Sequence, residues 1–406
     1  MTVAASTAPA AGLGADSRTF APGPLVVGAA IALGAWLLNA AFGWRMAALF
    51  GVGAAAGVVL YHAAFGFTSA WRIFIADGRG EGLRAQMLLL AITCAAFFPL
   101  LAAGEAFGVR LNGLVQPAGV PVLAGAFLFG IGMQLGGGCA SGTLFTVGGG
   151  NTRMVVTLVF FVVGSLLGTW HAPFWWAQPT LPPTSLVVQF GPVAALAMSL
   201  VAFGAIFVLS VIVERRRFGR LMDARPAARP QQWLRGPWPV VFGAIGLAAV
   251  NLATLLIAGR PWGITSAFAL WGAKAAAAVG VPVETWPYWA SQTAALHGSV
   301  FGDVTSVMDI GIVLGAMLAA LLAGRFVPIW RIPARSLLAA VVGGVLLGYG
   351  ARVAYGCNIG AYFSGIASGS LHGWLWLPAA FAGNVLGTYV RPAFGLGIEK
   401  TALPKC

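Results

Sequence analysis

Two cysteines in this 406-residue chain stand at the same point of a repeated phrase. Residues 130–142 read GIGMQLGGGCASG and residues 348–360 read GYGARVAYGCNIG. Both follow G-x-G-x5-G-C-x-x-G, with Phe145 and Phe363 three residues further on. The matched positions are Gly130/Gly348, Gly132/Gly350, Gly138/Gly356, Cys139/Cys357 and Gly142/Gly360. A thiol is a weak donor and its sulfur a soft acceptor. Glycine beside it leaves backbone N–H groups approachable. Hydroxyl and amide groups accompany each site: Ser141 and Thr143 after Cys139, and Asn358 after Cys357. Acidic residues are missing from both segments, which disfavours cation binding, and no Cys/His metal spacing occurs, so neither metal nor cofactor is expected. Broken helices direct N–H groups at an anion. In an apolar constriction the neutral thiol is favoured, and it can donate to a sulfur-bearing or selenium-bearing anion that a thiolate would repel. Arg352, five residues before Cys357, and Lys274 read either as anion partners or as side chains snorkelling to the interface. Cys94 reads as a small core residue, and Cys406 as a tail thiol.

The elements that must hold these groups lie in a membrane. The chain is 59% hydrophobic and 8% charged, too few charges to cover a soluble surface. The formal charge of +13 is not a nucleic-acid signal, because its densest run, at 214–236, separates two apolar stretches and reads as a cytoplasmic loop. Apolar segments fall at about 24–42, 45–66, 83–104, 119–135, 152–171, 187–213, 237–258, 303–324, 337–356 and 374–395. With the Arg-rich loop inside, Arg72, Arg79, Arg84, Arg153, Arg325, Arg331, Arg335, Lys400 and Lys405 also fall inside. Arg45, Arg110 and Arg260 fall outside. Both termini are expected in the cytoplasm, and residues 1–23 are expected to form a disordered tail without a cleavable signal peptide.

Stretches at about 67–80, 136–151, 262–279 and 356–370 are too short or too glycine-broken to cross. Thr68-Ser69-Ala70 echoes Thr265-Ser266-Ala267. Each half, about 45–171 and 237–395, then reads as span, broken segment, two spans, Cys-bearing broken segment, span, with 187–213 linking them. A single linking crossing gives the halves opposite orientation. The expected fold is therefore an all-α polytopic membrane protein. About ten transmembrane helices form an inverted repeat, with re-entrant broken helices carrying the Cys motifs. The expected function is a permease, not an enzyme, for a small reduced-sulfur anion. Asp309 and His62 are the candidates for proton coupling.

The paired Cys motifs, the segment WGITSAFALWGAK (262–274) and the overall length resemble the YeeE/YedE family of sulfur-compound transport proteins. The likeness runs from about residue 45 to 395. It implies thiosulfate uptake across the bacterial inner membrane, with cysteines on short broken helices lining a narrow path. By position, Cys139 and Cys357 take those roles, with Gly138 and Gly356 beside them. The family's thiosulfate transporters carry a third cysteine on an early broken segment; here FGFTSAWRIF (65–74) has none. Selenium-compound transport in the same family, or a membrane thiol enzyme passing sulfane sulfur onward, are the alternatives. The resemblance also implies a separate TusA-like sulfur carrier as partner, alongside the lipid bilayer.

Overall fold

The computed structural model describes residues 22–222, 233–328 and 330–399. The expected N-terminal tail, part of the Arg-rich loop, Lys400, Lys405 and Cys406 lie outside the described residues. Thirteen helices of eight residues or more make up the described fold, with only two-residue strand pairs beside them. They are α1 (Pro22–Phe42), α2 (Trp44–Ala63), α3 (Phe67–Asp77), α4 (Glu81–Ala103), α5 (Val120–Gly136), α6 (Ala140–Gly148) and α7 (Thr152–Trp170). After them come α8 (Leu186–Phe218), α9 (Val240–Ala258), α10 (Thr265–Ala278), α11 (Val304–Leu322), α12 (Ala334–Val353) and α13 (Leu371–Val390). A π-helical turn, Asn358–Ser364, stands between α12 and α13.

The chain is a multi-pass membrane protein. Among the described residues nine helical stretches are long and apolar enough to cross a bilayer. Each expected apolar segment is a helix, but α13 falls outside the nine. Its twenty residues include His372, Asn384 and Thr388, which lower its hydropathy and are buried against the protein. The expected breaks are helices too short to span: α3 has 11 residues, α6 has 9 and α10 has 14, against about 20 needed.

Two layers follow from burial. Only 11% of the α1 window and 17% of the α8 window are buried, so these helices face lipid, whereas 61% of the α11 window is buried. Inside this rim the packing of one half is exchanged in the other. Helix α7 lies on α12 as α13 lies on α5; α2 lies on α11 as α9 lies on α4; α10 meets α7 as α3 meets α13. The motif glycines set these contacts. A Cβ at Gly130 would collide with the Ala380 carbonyl of α13, and one at Gly348 with the Phe161 carbonyl of α7. Gly132 meets α12 at Gly343 and Leu347, and Gly350 meets α5 at Gly125 and Phe129. The G-x-G part of the motif is thus a small-residue packing seam rather than part of the break.

Charge marks the two faces. At one lie the Arg84–Glu214 pair (2.6 Å), the Arg79–Asp77 pair (2.6 Å) and Arg153, bonded to Ser336 at the start of α12. At the other, Arg260 bonds Thr305 (3.0 Å) and Lys274 bonds the carbonyls of Leu296 and Gly298. Helix α5 runs toward the basic face and α12 runs away from it, as their end contacts with Arg153 show.

Candidate functional site

Helix α5 stops at Gly137, whose φ of 97° suits the left-handed region that glycine tolerates. The chain then extends through Cys139, which caps α6: its Sγ accepts from the Gly142 N–H at 3.5 Å and lies 3.4 Å from Ser141 Oγ. Thr143 Oγ1 donates to the Cys139 carbonyl at 2.8 Å, locking the turn. The second break is built alike. Gly356 has φ 156°, Cys357 is extended, and Ala361 N–H, at the position of Thr143, donates to the Cys357 carbonyl at 2.8 Å. The N–H groups of Ile359 and Gly360 face the Cys357 sulfur. Cys139 is 1% exposed and Cys357 0%. The α6 segment and the turn Asn358–Ser364 touch, and the two thiols lie within electrostatic reach of each other, with Asp309 also in reach of Cys357.

The surroundings of the thiols are apolar but not donor-poor. Tyr362 stacks on Trp376 (6.0 Å, 10°), with Phe67 and Trp71 of α3 edge-on to Tyr362 at 6.0 and 5.8 Å. Trp376 continues to Phe129, Phe161 and Phe268 in steps of 5.6, 6.2 and 4.9 Å. Within this layer both polar atoms of Asn358, the Tyr362 hydroxyl, Trp376 Nε1 and the Thr68 hydroxyl are buried without a partner among the described residues. Unmet buried polar atoms are costly, and five of them gather in this layer, two on Asn358 next to Cys357. Of these, sequence reasoning found Asn358. The signal for Tyr362 and Thr68 was their place in the broken segments; Trp376 lies in the span that follows and carried none.

The remaining candidates separate. Arg352 lines a cavity of about 220 Å³ with Gln116, Trp175, Tyr288 and Tyr355. It bonds Tyr288 (2.8 Å) and Thr265 (3.0 Å), its Nε has no partner, and no carboxylate faces it among the described residues. Lys274 is not brought to the thiols. Its ammonium caps carbonyls at the end of the short helix Thr293–His297 and so anchors the loop 283–302. Asp309 is fully buried on α11, both oxygens unpartnered. His62 packs on Trp238 at the basic end of α2, away from that carboxylate. Cys94 is buried, its thiol 3.8 Å from the Ile366 carbonyl beneath the second motif. Among the described residues no cluster of His, Cys, Asp or Glu could hold a metal. A second cavity, of about 400 Å³, opens at the basic face between Phe65, Gly66, Ser69, Gln86 and Glu214. The two cavities lie at opposite ends of the bundle, and the aromatic layer starts from the larger one, where Phe65 meets Phe67 edge-on and Phe67 meets Tyr362.

Residues 62–386 match the family described as sulphur transport, and the chain belongs to that family. It is 32% identical over 158 residues to a probable transporter YedE of Escherichia coli, a match covering 38% of each chain. It is 26% identical over 337 residues to the thiosulfate transporter TsuA of Spirochaeta thermophila, covering 80% of this chain and 92% of that one. Against the thiosulfate transporter TsuA of Escherichia coli it is 25% identical over 366 residues, covering 84% and 94%.

Proposed function

We propose that this chain imports thiosulfate or a similar reduced-sulfur anion across the bacterial inner membrane, along a path lined by Cys139 and Cys357. The observation that carries this reading is the pair of buried thiols on matched helix breaks whose segments, α6 and the turn Asn358–Ser364, touch. The opposite directions of α5 and α12 and their exchanged packing support an inverted repeat, the design in which a central site is reached from alternate sides. The names of the TsuA relatives support thiosulfate as cargo.

Physically, Arg352 and the cavity beside it draw an anion from the outer side. The S–H groups and the N–H groups of Ser141–Gly142 and Ile359–Gly360 then replace its water, with Asn358, Tyr362 and Trp376 as further donors. A soft terminal sulfur gains most from this lining, and a selenium anion of the same shape is the second cargo it suits. Carrying two charges inward against an inside-negative potential costs roughly 4–5 kcal/mol per 100 mV. Coupling to a proton on Asp309, or consumption by a separate TusA-like carrier at the basic face, offsets that. A thiol enzyme fits less well, because both sulfurs are closed off from any protein acceptor.

Uptake of labelled thiosulfate into proteoliposomes tests the reading. Cys139→Ala and Cys357→Ala should each lose about tenfold or more in rate at normal protein level, one hydrogen-bonding contact's worth. Full uptake in both variants would end the cysteine mechanism, and entry of labelled selenite with no entry of labelled thiosulfate would assign the cargo to selenium.

A further inference from the structure

The C-terminal end of α5 gathers three arginines, where the helix dipole places negative charge. Arg153 donates to the carbonyls of Gly136 (2.7 Å) and Leu135 (2.6 Å). Arg391 donates to the carbonyls of Gln134 (2.5 Å) and Gly397 (3.0 Å). Arg72, from α3, touches Gln134 Oε1 at 3.4 Å through Nη1. The guanidinium groups of Arg72 and Arg153, and the Glu399 carboxylate, lie within electrostatic reach of Arg391. Arg153 and Arg391 are occupied by carbonyls. Arg72 is not: its Nε and Nη2 fork is held by the two carboxylate oxygens of Glu399, at 2.6 and 2.5 Å.

The two partners differ in setting. Arg72 is 8% exposed and Arg391 9%, whereas the Glu399 side chain is 44% exposed. A buried guanidinium fork bound two-point by an oxyanion is a recognition geometry for carboxylates and other planar or tetrahedral anions alike. Its present ligand comes from a residue 327 positions away, at the exposed end of the described chain. The fork stands directly before the break that carries Cys139, since Gln134 precedes Gly136–Gly138 by only two residues.

We propose that the Arg72 fork, oriented by the Gln134 amide oxygen and reinforced by the nearby charge of Arg391, forms a second anion site at the basic face, for a small doubly charged oxyanion, and that the Glu399 carboxylate occupies it as an internal competing ligand. On the transport reading, which this rests on for its role, the site receives cargo leaving Cys139, and Glu399 must let go for the cargo to sit there. Release of the anion is then completed when the carboxylate returns. The arrangement lets cargo leave readily, because the competing carboxylate keeps the site from holding it tightly.

Sulfate separates this site from the thiols, because it carries two charges and no exposed soft atom. Binding of sulfate to the purified full chain should tighten about tenfold in Glu399→Ala, as expected if the carboxylate fills the site about nine-tenths of the time. The gain should vanish in Arg72→Gln/Glu399→Ala and survive in part in Arg72→Lys/Glu399→Ala, which keeps the charge but loses the fork. It should persist in Cys139→Ala/Cys357→Ala/Glu399→Ala, so the site stands or falls independently of the thiol path. Equal sulfate affinity in wild type and Glu399→Ala, or a gain that survives Arg72→Gln, overturns the proposal.

Discussion

Gln134 and Arg352 occupy the same position of the two cysteine motifs, and their side chains meet opposite fates. Gln134 is wholly buried and satisfied, donating to Asn384 Oδ1 (2.6 Å) and the Thr68 carbonyl (3.2 Å) and accepting from Arg72. Arg352 keeps an unpartnered Nε at the rim of an open cavity. One face thus carries its cation within the motif. The other borrows cations from α3 and from the segment after α13 and covers them with Glu399.

Arg352→Gln should therefore raise the KM for uptake about tenfold, near 1.4 kcal/mol, with a smaller change in maximal rate. Arg352→Lys should recover part of that, since charge returns without the two-point hold on Tyr288 and Thr265. Concentration-dependent uptake in proteoliposomes reads the split. An effect confined to maximal rate would place Arg352 in the scaffold instead of the entrance.

Cys139→Ser should keep the fold and lose transport. Serine is a preferred N-cap and its hydroxyl can accept from Gly142 N–H as the sulfur does now. The melting temperature in detergent should hold or rise while thiosulfate uptake falls about tenfold or more, because the smaller, harder hydroxyl no longer presents a polarisable sulfur to the soft atom of the cargo. Parallel loss of both would mean that the thiol serves packing alone.

Gly130→Ala and Gly348→Ala should each destabilise by about 1–3 kcal/mol, because the added methyl meets backbone that cannot step aside. Gly51→Ala on α2 meets open space and should be close to neutral. Melting temperature and yield in detergent test all three. Similar losses at Gly130 and Gly348, with none at Gly51, would be the energetic mark of exchanged packing.

What the sequence made legible was periodic or repeated. Ten apolar stretches gave ten helices, and the spacing of Cys139 and Cys357 pointed to matched breaks, because glycine runs and hydropathy are local signals. Lys274 and Arg352 looked alike in sequence, each a lone cation near membrane depth. Only the fold shows Lys274 spent on carbonyls of the loop that follows α10. The Tyr362–Trp376 stack and the Arg72–Glu399 pair join residues from different elements, and no spacing announces them. The glycines of one motif serve two purposes: Gly130 and Gly132 lie in the span expected at 119–135 and set close helix contacts, while Gly137 turns the chain at the break.

Asp309→Asn should fold like the wild type, because an unpartnered buried carboxylate has no hydrogen bonds to lose. If Asp309 carries the coupling proton, uptake by the variant should no longer respond to an imposed inward proton gradient. Unchanged uptake and pH response would remove Asp309 from the mechanism.

The Arg72–Glu399 pair predicts a different and separable pH signature. The hydrogen-bonded Arg72 guanidinium holds the Glu399 carboxyl below its ordinary value, against a smaller opposing effect of burial. A depressed folded-state value means that the pair's stabilising effect is complete above the unfolded value, near 4.3 for glutamate, and is lost as pH falls through the depressed one. Between about pH 6 and 8 the difference in melting temperature between wild type and Glu399→Gln should then stay constant, and it should shrink only in stronger acid. Any pH dependence of uptake near neutrality must come from elsewhere, with Asp309 the first group to test. A wild-type minus Glu399→Gln difference that changed across neutral pH would show that the carboxylate is not held by Arg72 in the resting protein.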